Sequence, residues 1–123
     1  MMSIHKKSLL SLIIFMVIVL ISSITYLEFG LYVNTGVLHI KNIAVSNQNL
    51  QVLGTTTNSG EAFAGYNYTM ENSNLYLKLR YSVVNPIHSS GDFNITIKEN
   101  VKNIKNVYLQ GSKPEDKKLI WTN

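Results

Sequence analysis

The pattern of hydrophobic and polar positions divides the chain into two parts. The first is an unbroken run of twenty uncharged residues, Ser8 to Leu27, dominated by Leu, Ile, Val, Phe and Met. Twenty helical residues span about 30 Å, the thickness of the hydrocarbon core of a bilayer. We therefore predict a transmembrane signal-anchor helix over residues 8–28, with the lipid bilayer as its first partner.

The charges on either side of this run predict its orientation. His5, Lys6 and Lys7 precede it and Glu28 follows it. Positive residues are enriched on the cytoplasmic side of membrane spans. We therefore predict a single-pass protein of the cell membrane, with residues 1–7 cytoplasmic, residues 29–36 a linker, and residues 37–123 an extracytoplasmic domain.

Two other interpretations of the apolar run stay open. A cleaved signal peptide needs small residues at two positions before the cut, and Ser23 and Thr25 before Tyr26 are the nearest match. A buried helix of a soluble protein needs a core that the remaining ~95 residues can hardly provide around an all-apolar helix. We favour an uncleaved anchor, because the run is long and the cleavage pattern is poor.

From Val37 onward the pattern changes to alternation, which is typical of β-strands with one buried and one solvated face. In Asn74–Val84 every second residue is apolar, and Asp92–Lys98 repeats this pattern. Segments rich in Gly, Pro, Ser, Thr and Asn separate the strands. Five weaker strands complete a set of seven: Val37–Val45, Asn49–Leu53, Ala62–Met70, Lys105–Gln110 and Lys117–Thr122.

Three local details are also predicted. A change of phase between Ile40 and Ile43 indicates a bulge near Lys41 or Asn42. Gly65 indicates the close approach of another backbone, and residues 99–103 are predicted to form one short helical turn. One face of the third strand is predicted to carry Ala62, Ala64, Tyr66, Tyr68 and Met70.

Seven short strands favour two sheets, since a single sheet would leave its apolar face uncovered. The predicted fold class is all-β: an immunoglobulin-like two-sheet sandwich of about seven strands, preceded by a single N-terminal transmembrane helix.

Composition narrows the classes of function. The chain has no cysteine, which excludes disulfides, thiolate metal sites and a lipidated cysteine, and favours a bacterial cell envelope over a disulfide-forming secretory pathway. From Phe29 onward, nine basic and six acidic side chains are spread along the chain. Nucleic-acid binders carry denser basic faces, so we predict no nucleic-acid partner.

Residues that could carry catalysis or bind a metal are few and scattered along the sequence. His5, His39 and His88 are far apart, without carboxylates at ligand spacing, so no metal site is predicted. No nucleophile elbow, phosphate-binding glycine loop or pair of catalytic carboxylates occurs. We therefore predict no catalytic residue, no cofactor and no enzymatic activity; an envelope enzyme would need a site assembled from distant loops around His88 or Asp92.

Three residues are predicted partner contacts: Tyr76 and Tyr108, which are out of phase with the core, and His88, which lies in a loop. Tyrosines bring a large contact area at a low entropic cost. Aromatic cross-strand pairs also stabilise sheets without any partner, and this second role of the tyrosines stays open.

Three stretches near the C-terminus carry a resemblance: Gly91-Asp-Phe-Asn-Ile-Thr-Ile, Ile104-Lys-Asn-Val-Tyr-Leu-Gln-Gly and Lys118-Leu-Ile-Trp. The last third of the chain thereby resembles small membrane-anchored proteins of Gram-positive bacteria that have no assigned activity. The resemblance implies a location and a fold, and it transfers no functional residue.

These expectations lead to a non-enzymatic interaction module that contacts an envelope protein or an anionic wall polymer. The loops Gly54–Gly60 and Pro86–Gly91 are its expected contact segments. The alternative is an accessory subunit that acts through its transmembrane helix on a larger membrane protein. Its interhelical contacts would be Ser11, Ser22, Ser23 and Thr25.

Overall fold

The computed structural model describes residues 4–123, so Met1–Ser3 of the predicted cytoplasmic segment lie outside the described residues. The chain begins with one long helix, α1, Ile4–Phe29. Within residues 4–123 it is the one helix long and apolar enough to cross a membrane, and its apolar window is not buried by the rest of the chain. The predicted span 8–28 lies inside α1.

The remainder of the described chain is mostly β. All seven predicted strands are present, with ends within a few residues of their predicted positions, and an eighth strand of two residues precedes them. A short 3-10 turn, Val101–Asn103, confirms the predicted helical turn, and a second one covers Thr35–Val37. The strands are β1 Leu31–Tyr32, β2 Leu38–Val45, β3 Leu50–Thr56, β4 Glu61–Glu71, β5 Asn74–Val83, β6 Phe93–Ile97, β7 Asn106–Gln110 and β8 Lys117–Thr122.

The strands form two sheets. In the five-stranded sheet, β5 pairs with β4 along one edge, whereas β1 and β7 share its other edge at different heights. The β5–β7 pair is parallel, and β8 completes the sheet beside β7. The second sheet is antiparallel, with the order β2-β3-β6. The parallel pair departs from immunoglobulin sandwiches, whose two sheets are antiparallel.

Both sheets contribute to one hydrophobic core, because alternate residues of each strand point to the same side. Burial of a large aliphatic side chain contributes about 1.5–3 kcal/mol, so this shared core dominates the stability of the domain. Its fully buried members include Leu50 and Val52 of β3, Leu75, Leu77 and Leu79 of β5, Ile95 and Ile97 of β6, and Val107 and Leu109 of β7.

The bulge predicted in β2 is confirmed, since the register with β3 shifts between Ile40 and Asn42. A second shift, between Phe63 and Gly65 of β4, was not predicted. It makes the predicted face of that strand wrong: Phe63, Tyr66 and Tyr68 pack against the core, whereas Ala64 lies beside Gly30 on the other side.

The predicted neighbour of Gly65 is also wrong. Gly65 has φ +152°, and a Cβ added there would meet the guanidinium group of Arg80, not another backbone. Because glycine has no Cβ, the guanidinium group of Arg80 can pack directly against the backbone of β4 at Gly65.

Candidate functional site

The predicted contact residue His88 lies against the end of α1. Its Nε2 is 2.8 Å from the carbonyl oxygen of Glu28, so this nitrogen carries the proton and donates it. Arg80 of β5 donates from Nη1 to the carbonyl oxygen of Phe29 at 2.7 Å. The last carbonyls of a helix have no partner within the helix, and basic side chains are favourable there. His88 and Arg80 thus cap α1 from the β domain.

The carbonyl of Leu27 is reached by two further side chains. Ser82 donates from Oγ at 3.3 Å, and Asn85 reaches the same oxygen from Nδ2 at 3.5 Å. Ser82 is almost fully buried, and Asn85 also donates to its hydroxyl at 3.1 Å. Three consecutive helix carbonyls therefore receive hydrogen bonds from β5 and the loop that follows it.

Gly30 completes this junction. Its φ is +75°, and its N–H donates to the carbonyl of Tyr26 at 2.7 Å, which is the αL motif that ends many helices. A Cβ at this position would lie 2.6 Å from the carbonyl oxygen of Tyr81. Both the left-handed backbone and the close approach to β5 require glycine here.

Residues 29–36, which were predicted as a linker, are part of the folded body. Leu31 pairs with Tyr81, and the N–H of Val33 donates to the carbonyl of Leu79 at 3.2 Å. Thr35 donates from Oγ1 to a carboxylate oxygen of Asp116 at 2.6 Å, and its N–H reaches the second oxygen at 3.1 Å. The helix therefore continues into the domain without a free segment.

Tyr76 and Tyr108 form a stacked pair on the outer face of the five-stranded sheet. They are direct neighbours in the parallel β5–β7 register, and their ring centroids lie 5.3 Å apart with an interplanar angle of 13°. The ammonium group of Lys117 lies 5.9 Å and 5.8 Å from the two centroids. Stacking contributes about 0.5–1.5 kcal/mol beyond burial.

The same outer face carries a second group of cations and aromatics. Lys78 lies 5.3 Å from the ring centroid of Tyr32. The phenol of Tyr32 donates to Asn67 at 2.9 Å, and the same amide oxygen accepts from Arg80 Nε at 3.1 Å. The guanidinium carbon of Arg80 lies 3.7 Å from the ring centroid of Phe29. We call the set Tyr32, Tyr76, Lys78, Arg80, Tyr108 and Lys117 the tyrosine face.

In the described part of the chain, the cations of this face have no carboxylate oxygen within 4.0 Å. Among residues 4–123, none of Lys78, Arg80 and Lys117 forms a salt bridge with a carboxylate; the ion pair recorded there joins Lys41 and Asp92 at 3.9 Å. Charges of one sign on one face produce a local field that attracts anions. The tyrosine face therefore combines three cationic side chains with the rings of three half-buried tyrosines.

Two tyrosines outside the tyrosine face, Tyr68 and Tyr81, have raised pKa values. Burial in the core, with smaller effects of Asp92 and Glu61, raises the pKa of Tyr81, whose phenol donates to the Gly91 carbonyl at 2.8 Å. The hydrogen bond from Tyr68 to Glu99, 3.0 Å long, is the largest cause that raises the pKa of Tyr68. Both phenols are therefore structural hydrogen-bond donors at neutral pH.

The two expected contact loops fold onto the chain itself. Thr55 and Thr56 extend β3, and the N–H of Thr57 donates to the Val37 carbonyl at 2.7 Å. In the other loop, the side-chain oxygen of Asn85 accepts from the N–H of Ile87 at 2.8 Å and from that of His88 at 3.2 Å. The contacts predicted for these loops and for His88 stay predictions.

In residues 4–123 no group of three or more His, Asp and Glu side chains is close enough to hold a metal ion. The basic members of the tyrosine face were missed from the sequence. The spacing could have identified two of them, because Lys78 and Arg80 lie two and four residues after Tyr76 and therefore share its face of β5.

No protein-family model, no curated protein and no solved structure matches this chain. The class that the fold defines is a chain with one apolar N-terminal helix joined directly to a small two-sheet β domain. The resemblance to small membrane-anchored proteins of Gram-positive bacteria stays a prediction.

Proposed function

We propose that this chain is a non-enzymatic, membrane-tethered interaction module whose tyrosine face contacts an anionic polymer of the bacterial cell envelope. The observation that carries the proposal is the concentration of Lys78, Arg80 and Lys117, none of them salt-bridged, around half-buried tyrosine rings on one face of one sheet.

The proposed topology has α1 in the cell membrane as an uncleaved anchor, the N-terminus in the cytoplasm and the β domain outside. The length and exposure of α1 support the span, and the charges of Lys6, Lys7 and Glu28 support the orientation. The direct junction at Gly30 supports retention, because Arg80 caps the last turn of an intact helix, and cleavage before Tyr26 would leave only residues 26–29 of that helix.

The proposed architecture is a sandwich of the immunoglobulin-like kind in its two packed layers, although not in its strand order. The shared core supports the layers. The parallel β5–β7 pair sets this domain apart, and it places Tyr76 beside Tyr108.

Of the two expected partners, the structure favours a polymer of repeating anions over an envelope protein. Lys78 and Lys117 lie over different tyrosines and so offer cationic positions that repeated phosphate or carboxylate groups can occupy one after another. The aromatic rings supply contact area for the uncharged parts of the polymer.

The alternative, an accessory subunit acting through α1, receives less support. Ser23 and Thr25 donate their hydroxyl hydrogens to the carbonyls of Val19 and Ile21, each at 2.8 Å. These donors are satisfied inside the helix and need no partner helix. Replacement of α1 with an unrelated apolar helix separates the two functions, since the polymer-binding function would survive the replacement.

The test is binding of poly(glycerol phosphate) to the full chain in phosphatidylcholine nanodiscs, measured by calorimetry at two salt concentrations. We expect the double variant Lys78→Gln, Lys117→Gln to bind about tenfold more weakly, a loss of ~1.4 kcal/mol, and to depend less on salt. The matched control is Lys98→Gln, Lys102→Gln, which removes the same charge from exposed positions outside the tyrosine face. Equal weakening by both double variants would reduce the proposal to a non-specific effect of net charge.

A further inference from the structure

Large apolar side chains outside α1 are exposed at few places in the described chain, and most of these places lie around the end of the helix. Beyond Phe29 there are seven such residues in the range 4–123, and four of them lie next to the junction. These four are Leu31, Val83, Val84 and Ile87, which are 65%, 50%, 47% and 54% exposed; Phe29 itself is 50% exposed. We call these five residues the base patch.

Hydrogen bonds hold the base patch beside the last turn of α1. Ser82 and Asn85, which flank Val83 and Val84 in the chain, both reach the Leu27 carbonyl. His88, which follows Ile87, donates to the Glu28 carbonyl. The exposed side chains therefore lie within a few residues of direct contacts with the helix end, and Leu31 lines one groove together with Tyr26 and Phe29 of the helix.

The exposure of Ile87 is built into the loop. Asn85 accepts from the N–H groups of Ile87 and His88, and its own N–H donates to the His88 carbonyl at 2.9 Å. Val84 is held by a 2.8 Å hydrogen bond from its N–H to the Gly60 carbonyl. Apolar side chains that are fixed outward in a cluster mark a binding surface more often than chance exposure does.

We propose that the base patch lies in the interfacial layer of the bilayer that α1 crosses, as a second and shallow membrane contact. The occupant is the lipid surface, because the patch is continuous with the helix and because α1 ends at Phe29, where the patch begins. Tyr26, 38% exposed one turn earlier, lies where aromatic side chains concentrate at membrane interfaces. Shallow burial of apolar side chains favours such contacts. This inference rests on the proposed anchoring by α1.

The consequence is a domain held close to the membrane at a fixed orientation, not one that swings on a tether. The capped junction at Arg80 and His88 restricts the helix side, and the base patch restricts the domain side. From Ser82 to Tyr76, β5 extends about 20 Å at ~3.3 Å per residue. The stacked tyrosines are thereby held away from the base patch, at the other end of β5.

The absence of cysteine makes the test direct, since single-cysteine variants can be labelled at one position each. Full-length Ile87→Cys and Val84→Cys are labelled with the environment-sensitive dye NBD and reconstituted in phosphatidylcholine vesicles that contain a lipid with a spin label on its headgroup. Leu119→Cys is the matched control, since Leu119 is 50% exposed on β8, away from the patch. Leu20→Cys, combined with a lipid labelled on its acyl chain, reports whether α1 is inserted.

We expect the dye at residues 84 and 87 to be quenched several-fold more than the dye at residue 119, with its emission shifted to the blue. Equal quenching at residues 87 and 119, with Leu20→Cys quenched by the acyl-chain label, would overturn the base-patch inference and leave the anchoring intact. An unquenched label at residue 20 would overturn the anchoring and the inference with it.

Discussion

The outer faces of the two sheets arise from the same alternation along their strands but carry different side chains. On the three-stranded sheet the outward residues include Gln51, Thr55, Asn94 and Thr96, and Gln51 donates to Asn94 at 2.8 Å. On the five-stranded sheet, the tyrosine face presents stacked rings and cations without salt bridges. In the first arrangement two polar side chains bond to each other, whereas in the second the cations lie beside tyrosine rings and not beside carboxylates.

This difference shows that alternation predicts which residues face outward but not what the outward face does. Lys41 on the three-stranded sheet has Asp92 at 3.9 Å, so its charge is offset locally. Lys78 and Lys117 have tyrosine rings as neighbours instead. A cation over an aromatic ring keeps its charge, and it therefore remains able to bind an anion.

The largest loss of stability is expected from a substitution in the hydrophobic core that the two sheets share. Leu77→Ala empties a fully buried position in the shared core, and such a change costs about 2–5 kcal/mol. Chemical unfolding should show this loss together with weaker polymer binding. Val45→Ala, at an exposed position on the three-stranded sheet, is the control and should change stability by no more than ~0.5 kcal/mol.

The next largest effect is a loss of stability that is expected in the five-stranded sheet, which is joined to α1, and not in the three-stranded sheet. Gly30→Ala forces a side chain into a backbone with φ +75° and against the Tyr81 carbonyl, at a cost of about 1–3 kcal/mol. Hydrogen exchange should rise in β1 and β5 more than in β2 and β3. Gly36→Ala is the matched control, because nothing lies within 4 Å of a Cβ there. Uniform exchange across both sheets would contradict a junction that acts through β5.

Alkaline pH is expected to lower the free energy of unfolding through Tyr81, a core residue of the five-stranded sheet. Burial raises the pKa of Tyr81 above its ordinary value of 10.0, so the folded state holds this proton more tightly than the unfolded state does. The contribution of Tyr81 is therefore complete below pH 10 and decreases as the pH rises above 10. Unfolding curves at increasing pH should show this loss, and Tyr81→Phe should flatten it; an identical slope in the variant would show that other groups cause the loss.

The smallest expected effect concerns the stacked tyrosines. A double-mutant cycle of Tyr76→Ala and Tyr108→Ala should give a coupling of about 0.5–1.5 kcal/mol in stability. Polymer binding should also weaken in either single variant. Gln51→Ala and Asn94→Ala on the other face provide the comparison, and they should leave binding unchanged. Coupling without any effect on binding would assign the tyrosine pair to sheet stabilisation alone.

Much of this fold could be predicted from local patterns, because a strand with one buried face shows its period in the sequence. The alternation of Leu75, Leu77 and Leu79 located β5, and the phase change after Ile40 located the bulge in β2. The bulge in β4 was missed, although an isolated glycine in a strand, here Gly65, often marks a bulge. Its neighbour Arg80 could not be predicted, because only the folded sheet brings these two residues together.

The junction escaped prediction for the same reason. Arg80 and His88 cap carbonyls that lie 51 and 60 residues earlier in the chain, so no short sequence window contains both partners. A strand of two residues such as β1 has no period to detect, and it exists because β5 offers a free edge at Tyr81. Of the predicted contact residues, Tyr76 and Tyr108 lie together on one face, whereas His88 lies at the helix end.

The tethered, outward-facing topology, on which both proposals depend, is tested most directly by protease shaving of intact cells that carry an epitope tag after Asn123. The expected result is loss of the tag, with an N-terminal fragment that contains α1 retained in the membrane. A tag that is protected in intact cells, or a soluble domain released whole into the medium without protease, would contradict the topology.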